Sequence, residues 1–303
     1  MADLSVNIAG VHFENPIIGA SGTVGFGREY SKLYPLSVFG GISCKGTTLQ
    51  ERCGNPPPRI AETPMGMLNA VGLQNPGVEH FIKNELPWLK QQNTVVIANA
   101  AGSTEEDYCK IAEILSDTDV DMIELNISCP NVKEGGVQFG TSPQSVEKIT
   151  SAVRKHCTKP LIIKLSPNVS DIAAVALAAE SAGADAVSLI NTLTGMRIDI
   201  NTHRPIISNI TGGMSGPAVF PVAVRMVYQV KKAVKIPVIG LGGISTWKDA
   251  VEMIIAGADA IQIGTVLFTD PYAPLKISEG LHGYLDTHGI EKITELTGTV
   301  NTY

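Results

Sequence analysis

The sequence predicts an α/β protein: a (β/α)8 barrel of the TIM type, with an N-terminal β-hairpin and inserted loops over the C-terminal face. Three observations carry this. Short β-branched apolar runs alternate with longer segments of helical period along the chain. Eight such strand–helix units fit one closed parallel barrel. Two helices also end in the same phrase, Ala182-Gly183-Ala184-Asp185 and Ala256-Gly257-Ala258-Asp259, where glycine takes the left-handed C-terminal position and an aspartate precedes the next strand.

The elements follow in order. Residues 4–8 and 11–13 flank Ala9-Gly10 and read as a hairpin plugging the bottom of the barrel. The eight strands are expected at 16–20, 41–45, 94–100, 121–127, 160–165, 186–191, 237–241 and 260–263. Helices are expected at 105–116, 143–156, 171–182, 217–234, 247–256 and 274–288. Ser142-Pro143 puts a cap before a first-turn proline, and Ser170-Asp171 starts the following helix. Two segments break the alternation. Residues 47–77 hold Pro56-Pro57-Pro58 and several glycines, and residues 193–216 carry possible small strands at 197–200 and 205–208. Excursions this long in a compact domain are usually functional or disordered, and their apolar content favours ordered segments packed over a site. The whole chain, 1–303, is expected to be one domain.

Composition narrows the function classes. With 44% hydrophobic and 17% charged residues over 303 positions, the chain suits a packed core rather than disorder. A formal net charge of −6 and the lack of a basic cluster argue against a nucleic-acid surface. No apolar run approaches a membrane span and the N-terminus lacks a secretory pattern, so a cytoplasmic protein without membrane contact is expected. Five irregularly spaced cysteines without a Cys-x-x-Cys pair imply free thiols, and no metal site is expected in this chain.

Chemistry in this fold sits where strands end. Those ends carry Ser21, Lys45-Gly46, Asn99, Asn126 with Cys129, Lys164, Asn191-Thr192, Gly242-Gly243 and Gly264-Thr265. Within Asn126-Ile127-Ser128-Cys129-Pro130-Asn131, two amides flank one thiol. Cys129 reads either as a buried cysteine or as a base for a carbon acid, with 135–140 as a glycine-rich lid. No histidine falls on a strand end, which leaves Cys129 as the rim's base. The glycines after strands seven and eight, with Gly216, suit a phosphate held by backbone N–H groups; turn geometry is the plainer alternative. Gly240-Leu241-Gly242-Gly243-Ile244-Ser245 is a poor dinucleotide fingerprint, because its third glycine is missing. Lys164 reads as a cation favouring an anionic cofactor ring, such as reduced flavin, or as half of a buried ion pair with a neighbouring acid. Lys45 suits a substrate carboxylate, the same ring, or the surface.

In these motifs the chain resembles a class 1 dihydroorotate dehydrogenase, specifically the class 1B catalytic subunit, over essentially its full length. The resemblance is carried by Ser43-Cys44-Lys45-Gly46-Thr47-Thr48, Leu68 through Gly77, Asn126 through Gly136, Ile163-Lys164-Leu165-Ser166-Pro167-Asn168, Ile190-Asn191-Thr192 and Gly240-Leu241-Gly242-Gly243-Ile244. It implies FMN in the barrel mouth, contacted by Ser21, Lys45, Gly46, Asn99, Asn126, Lys164 and Ile190. The phosphate would lie at Gly216, Gly242, Gly243, Gly264 and Thr265. It implies a dihydroorotate site formed by Lys45, Asn69, Ala70, Val71, Gly72, Leu73, Asn126, Asn131, Asn191 and Thr192. Cys129 would take the C5 proton while a hydride passes from C6 to the flavin, with Lys164 stabilising the reduced ring. The class implies an electron-transfer subunit carrying FAD and a [2Fe–2S] cluster, NAD+ as final acceptor, and a heterotetramer of two subunits of each kind. Alternatives are a fumarate-dependent class 1A homodimer, a dihydropyrimidine dehydrogenase, and a non-enzymatic barrel binding a phosphate ligand.

Overall fold

A computed structural model describes residues 2–127 and 139–302. Eight parallel strands close into a barrel: Ile17–Gly19, Gly41–Ser43, Val95–Ala100, Met122–Asn126, Leu161–Lys164, Ala186–Leu189, Val238–Leu241 and Ala260–Ile263. We number these one to eight. Each pairs with its neighbours in chain order, and strand eight pairs with strand one to complete the ring. All eight expected strands are present. Several stop one or two residues early, because ladder pairing ends where the chain turns outward into the rim. Lys45 and Asn191 therefore sit just past their strands rather than in them.

Helices Glu105–Ser116, Pro143–Arg154, Ile172–Ser181, Phe220–Ala233, Trp247–Ala256 and Ala273–His288 surround the barrel. Ser142 accepts the Ser145 N–H and Asp171 the Ala174 N–H, so both expected caps are formed. One expectation changes. Residues 217–234 do not form a single helix: a 3-10 turn, Pro217–Val219, precedes the helix proper. A helical stretch at 78–89 was not expected. It contains Pro87 and a π-helical turn, Phe81–Glu85; the proline has no N–H to give, and the turn before it widens.

The repeated Gly-Ala-Asp phrase ties helices to strands. Gly183 and Gly257 have φ of +96° and +128°. The aspartates that follow accept backbone N–H groups at the start of neighbouring strands: Asp185 from Leu161 at 2.7 Å and Asp259 from Val238 at 2.8 Å. Arg154 and Lys231, from the preceding helices, pair with the same two carboxylates.

At the other end of the barrel, Val6–Ile8 pairs with Val11–Phe13 across Ala9-Gly10. Both turn residues have positive φ, as a tight hairpin turn requires. Phe13 is fully buried, and a Cβ on Gly41, the first residue of strand two, would lie 2.6 Å from its ring. The hairpin thus packs against the strand beginnings, as expected.

The two long excursions form one structure. Ile60–Thr63 and Gly66–Asn69 come from the first, Leu193–Gly195 and Gly212–Ser215 from the second. Together they make a four-stranded antiparallel sheet whose central pairing, Gly213 with Asn69, joins the excursions. A two-residue ladder between Ile198–Asp199 and Arg204–Pro205 stands apart; the second strand expected in this region begins one residue earlier and ends well short of 208.

Candidate active site

A cleft of about 320 Å³ opens at the C-terminal ends of the strands, within the size range of ligand pockets. Strands one, five, six, seven and eight reach it through Ser21, Lys164, Ile190 with Asn191 and Thr192, Gly242 with Gly243, and Gly264 with Thr265. Lys45 and Asn126 line it from strands two and four. The accessory sheet and the turn after it supply Asn69, Val71, Gly72 and Leu73, and Gly216 closes another side. Most sequence-expected residues therefore share one cavity. Ala70 is fully buried beside it; its N–H donates to the Arg59 carbonyl and its carbonyl accepts from Asn55. Gly46 and Asn99 are buried behind Lys45, where a Cβ on Gly46 would meet Asn99 Oδ1 at 2.9 Å. Cys129, Asn131 and most of the expected lid lie outside the described residues.

The glycine cradle has a steric cause. Gly216, Gly242 and Gly243 all have φ between +78° and +123°. A Cβ on Gly243 would lie 2.8 Å from the Gly216 carbonyl oxygen, and one on Gly216 would lie 2.6 Å from the Gly66 Cα. Two backbone strips thus approach too closely for side chains. Thr265 Oγ1 donates to Ser215 Oγ at 2.9 Å and links strand eight to the accessory sheet.

The amide side is held by local bonds. Asn191 Nδ2 donates to Asn126 Oδ1 at 3.3 Å, and the Thr192 N–H donates to Asn191 Oδ1 at 2.7 Å. Tyr108 donates its hydroxyl to the Asn126 carbonyl. Beneath the 69–73 turn, Asn75 Oδ1 accepts the backbone N–H groups of Thr48 and Gly77, while its Nδ2 donates to the Leu73 carbonyl. Asn75 stood in the motif without a role; here it fixes the turn.

The floor of the cleft was largely missed by sequence reasoning. Glu124, on strand four, is fully buried. Its Oε2 accepts from Ser43 Oγ and Asn99 Nδ2 at 2.6 and 2.7 Å, and its Oε1 from Ser188 Oγ and Gln262 Nε2, both at 2.7 Å. Lys164 Nζ stands 3.7 Å away, close enough for charge attraction but too far for a hydrogen bond. Burial by itself would raise the Glu124 carboxyl. The Lys164 charge and the bonds from Ser43, Ser188 and Gln262 outweigh it and hold the group below the ordinary carboxylate range. Lys164 is thus ion-paired with a neighbouring acid below, one of the two roles expected for it, and lines the cleft above. The available signal was a charged or polar residue at an inward position in strands two, four, six and eight.

The cleft fits FMN by its chemistry. Gln262 lines it and its Oε1 is buried with no donor among the described residues, so it suits a ring N–H. Ile190 and Leu241 offer apolar surface to a flat ring system, and the glycine cradle suits a phosphate. Among the described residues there is no cluster able to hold a metal ion, and no helix long and apolar enough to cross a membrane.

Residues 3–285 match the family model of dihydroorotate dehydrogenase. The chain belongs to that family. Similar members include proteins named dihydroorotate dehydrogenase B (NAD(+)), catalytic subunit. The one from Caldicellulosiruptor saccharolyticus is 56% identical over 299 residues, covering 99% of both chains. That from Bacteroides thetaiotaomicron is 56% identical over 301 residues, again with 99% of both covered, and that from Alkaliphilus oremlandii is 54% identical with 98% of both covered. In this dihydroorotate dehydrogenase family member, the near full-length match and the barrel agree with the fold expected from the sequence.

Proposed function

We propose that the protein oxidises (S)-dihydroorotate to orotate in pyrimidine biosynthesis, as the FMN-bearing catalytic subunit of a class 1B, NAD+-dependent enzyme. The observation carrying this reading is one cleft that joins a glycine cradle, two lysines and a set of fixed amides, in a chain similar throughout to subunits of that name. Ser21, Lys45, Gly46, Asn99, Asn126, Lys164 and Ile190 would hold FMN, with its phosphate at Gly216, Gly242, Gly243, Gly264 and Thr265. When bound, FMN supplies the hydride acceptor.

The chain's own groups do the rest. Asn69, Asn126, Asn131, Asn191 and Thr192 offer donors and acceptors together, which suits the ring amides of a pyrimidine. Lys45 would face the substrate carboxylate beside the 69–73 turn. Cys129 would remove the C5 proton as thiolate; an unperturbed thiol has a pKa of about 8.5, so turnover rises with pH until the thiolate dominates. Lys164 presents positive charge at the cleft floor, where negative charge accumulates on reduction.

In this reading the 1–303 chain acts as one FMN-binding domain in the cytoplasm. Its partner is an electron-transfer subunit carrying FAD and a [2Fe–2S] cluster, arranged as a heterotetramer with two of each subunit. The test is a visible spectrum of the purified chain before and after anaerobic dihydroorotate. A flavin band that bleaches supports cofactor and substrate together; a colourless protein overturns both. Robust fumarate-driven turnover without a partner would overturn the class 1B assignment, and preferential binding of uracil over orotate would overturn the substrate.

A further inference from the structure

Interior side chains of such barrels come in layers contributed by alternate strands, and these are ordinarily apolar. Here strands two, four, six and eight contribute Ser43, Glu124, Ser188 and Gln262, and all four are buried. The three neutral members each donate one hydrogen bond to Glu124. Asn99 and Lys164 add a fourth bond and a charge from the odd strands three and five. Six of the eight strands thus converge on one carboxylate beneath the cleft. A layer of this kind is costly unless every bond is made, and an apolar layer would close the barrel as well.

We propose that Glu124 is a positioning residue for the cofactor. It holds Lys164 at the cleft floor and offsets that lysine's charge, which sets the field felt by the ring above. The four donors fix both carboxylate oxygens, so Glu124 has one orientation. Lys164 is anchored from below by charge at 3.7 Å, beyond hydrogen-bond length, so Glu124 orients it without taking up its N–H groups. Removing the carboxylate charge would expose the full positive charge of Lys164 and favour the more negative, reduced form of the cofactor.

The inference rests on FMN occupying the cleft, and a double-mutant cycle tests it: wild type, Glu124→Gln, Lys164→Met and the double variant. Flavin midpoint potentials are measured on the holoproteins, and thermal unfolding on the apoproteins. Glu124→Gln should favour reduction roughly tenfold, about 30 mV for a two-electron couple. The same exchange in the Lys164→Met background should shift the potential by less than a third of that, because a buried carboxylate that has lost its cation takes up a proton and carries little charge to remove. An unchanged potential in Glu124→Gln overturns the proposal, and so does an equal shift in both backgrounds.

Should Glu124→Gln fail to fold, the apoproteins decide. Lys164→Met leaves a buried carboxylate unpaired, so the double variant should melt higher than Lys164→Met alone. A double variant no more stable than Lys164→Met overturns the pairing. If the wild type binds no flavin, the functional reading fails, while the stability comparison still tests the pair.

Discussion

Replacing Gly243 by alanine separates backbone strain from crowding in the proposed phosphate cradle, because the chain provides its own control. Gly243 and Gly289 have φ of +78° and +66°. Alanine in that region costs roughly 1–2 kcal/mol at either site. At Gly289, the C-terminal cap of Ala273–His288, a Cβ meets nothing within 4 Å, so strain is the whole effect. At Gly243 the Cβ would lie 2.8 Å from the Gly216 oxygen, the Phe220 N and the Phe220 Cβ. Two of those atoms are backbone and cannot rotate away, so overpacking adds about 1–3 kcal/mol. Gly243→Ala should then lose roughly 2–5 kcal/mol and Gly289→Ala about 1–2. At about 2 °C per kcal/mol for a chain of this size, the melting temperatures should fall by about 4–10 °C and about 2–4 °C. Differential scanning calorimetry gives these shifts, and flavin absorbance relative to protein gives FMN occupancy. Occupancy should fall in Gly243→Ala and stay near wild type in Gly289→Ala. Equal melting shifts with full FMN in both variants would refute the cradle argument.

Three further outcomes are expected. Cys129→Ala should keep its flavin and lose about 10²- to 10⁴-fold in dihydroorotate turnover, the usual worth of a general base; native-rate turnover would remove Cys129 from that role. Asn75→Ala should leave the Thr48 and Gly77 N–H groups unsatisfied at about 1–3 kcal/mol each, and raise KM for dihydroorotate more than it lowers kcat, as steady-state kinetics would reveal. Glu124, held below its ordinary value of 4.5, stabilises the fold above that pH and loses its contribution as pH falls through its lowered folded value. Ser188→Ala removes one of the bonds that depress it, so the acid decline in melting temperature should still begin near the ordinary carboxylate value but be smaller and level off at a higher pH than in the wild type; coincident curves would contradict the network.

Glu124 also marks the boundary between what could and could not be read from the sequence. Residues 121–127 were legible as a strand, since the apolar run and the turn formers after it are local properties. Which side chains of that strand meet Ser188 and Gln262 is not local: these partners lie 64 and 138 residues away and meet only when the barrel closes. The excursions show the same division. Their length and composition predicted ordered segments over the mouth, but Asn69 opposite Gly213 is a pairing across more than a hundred residues. Asn99 was legible as a polar strand end, yet only its buried bond to Glu124 puts it below the rim rather than on it.

The sequence by itself determined the alternation of eight strands with helices, the rim of small and polar residues, the caps at Ser142 and Asp171, and the family resemblance. Each depends on spacing and residue type along a short stretch of chain. Only the tertiary structure decided that the two excursions form one sheet, that Gly243 packs against Gly216, and that Lys164 is shared between a cleft and a buried carboxylate. Those facts depend on barrel closure, which brings side chains from distant strands within bonding distance and excludes the water that would otherwise weaken their attraction.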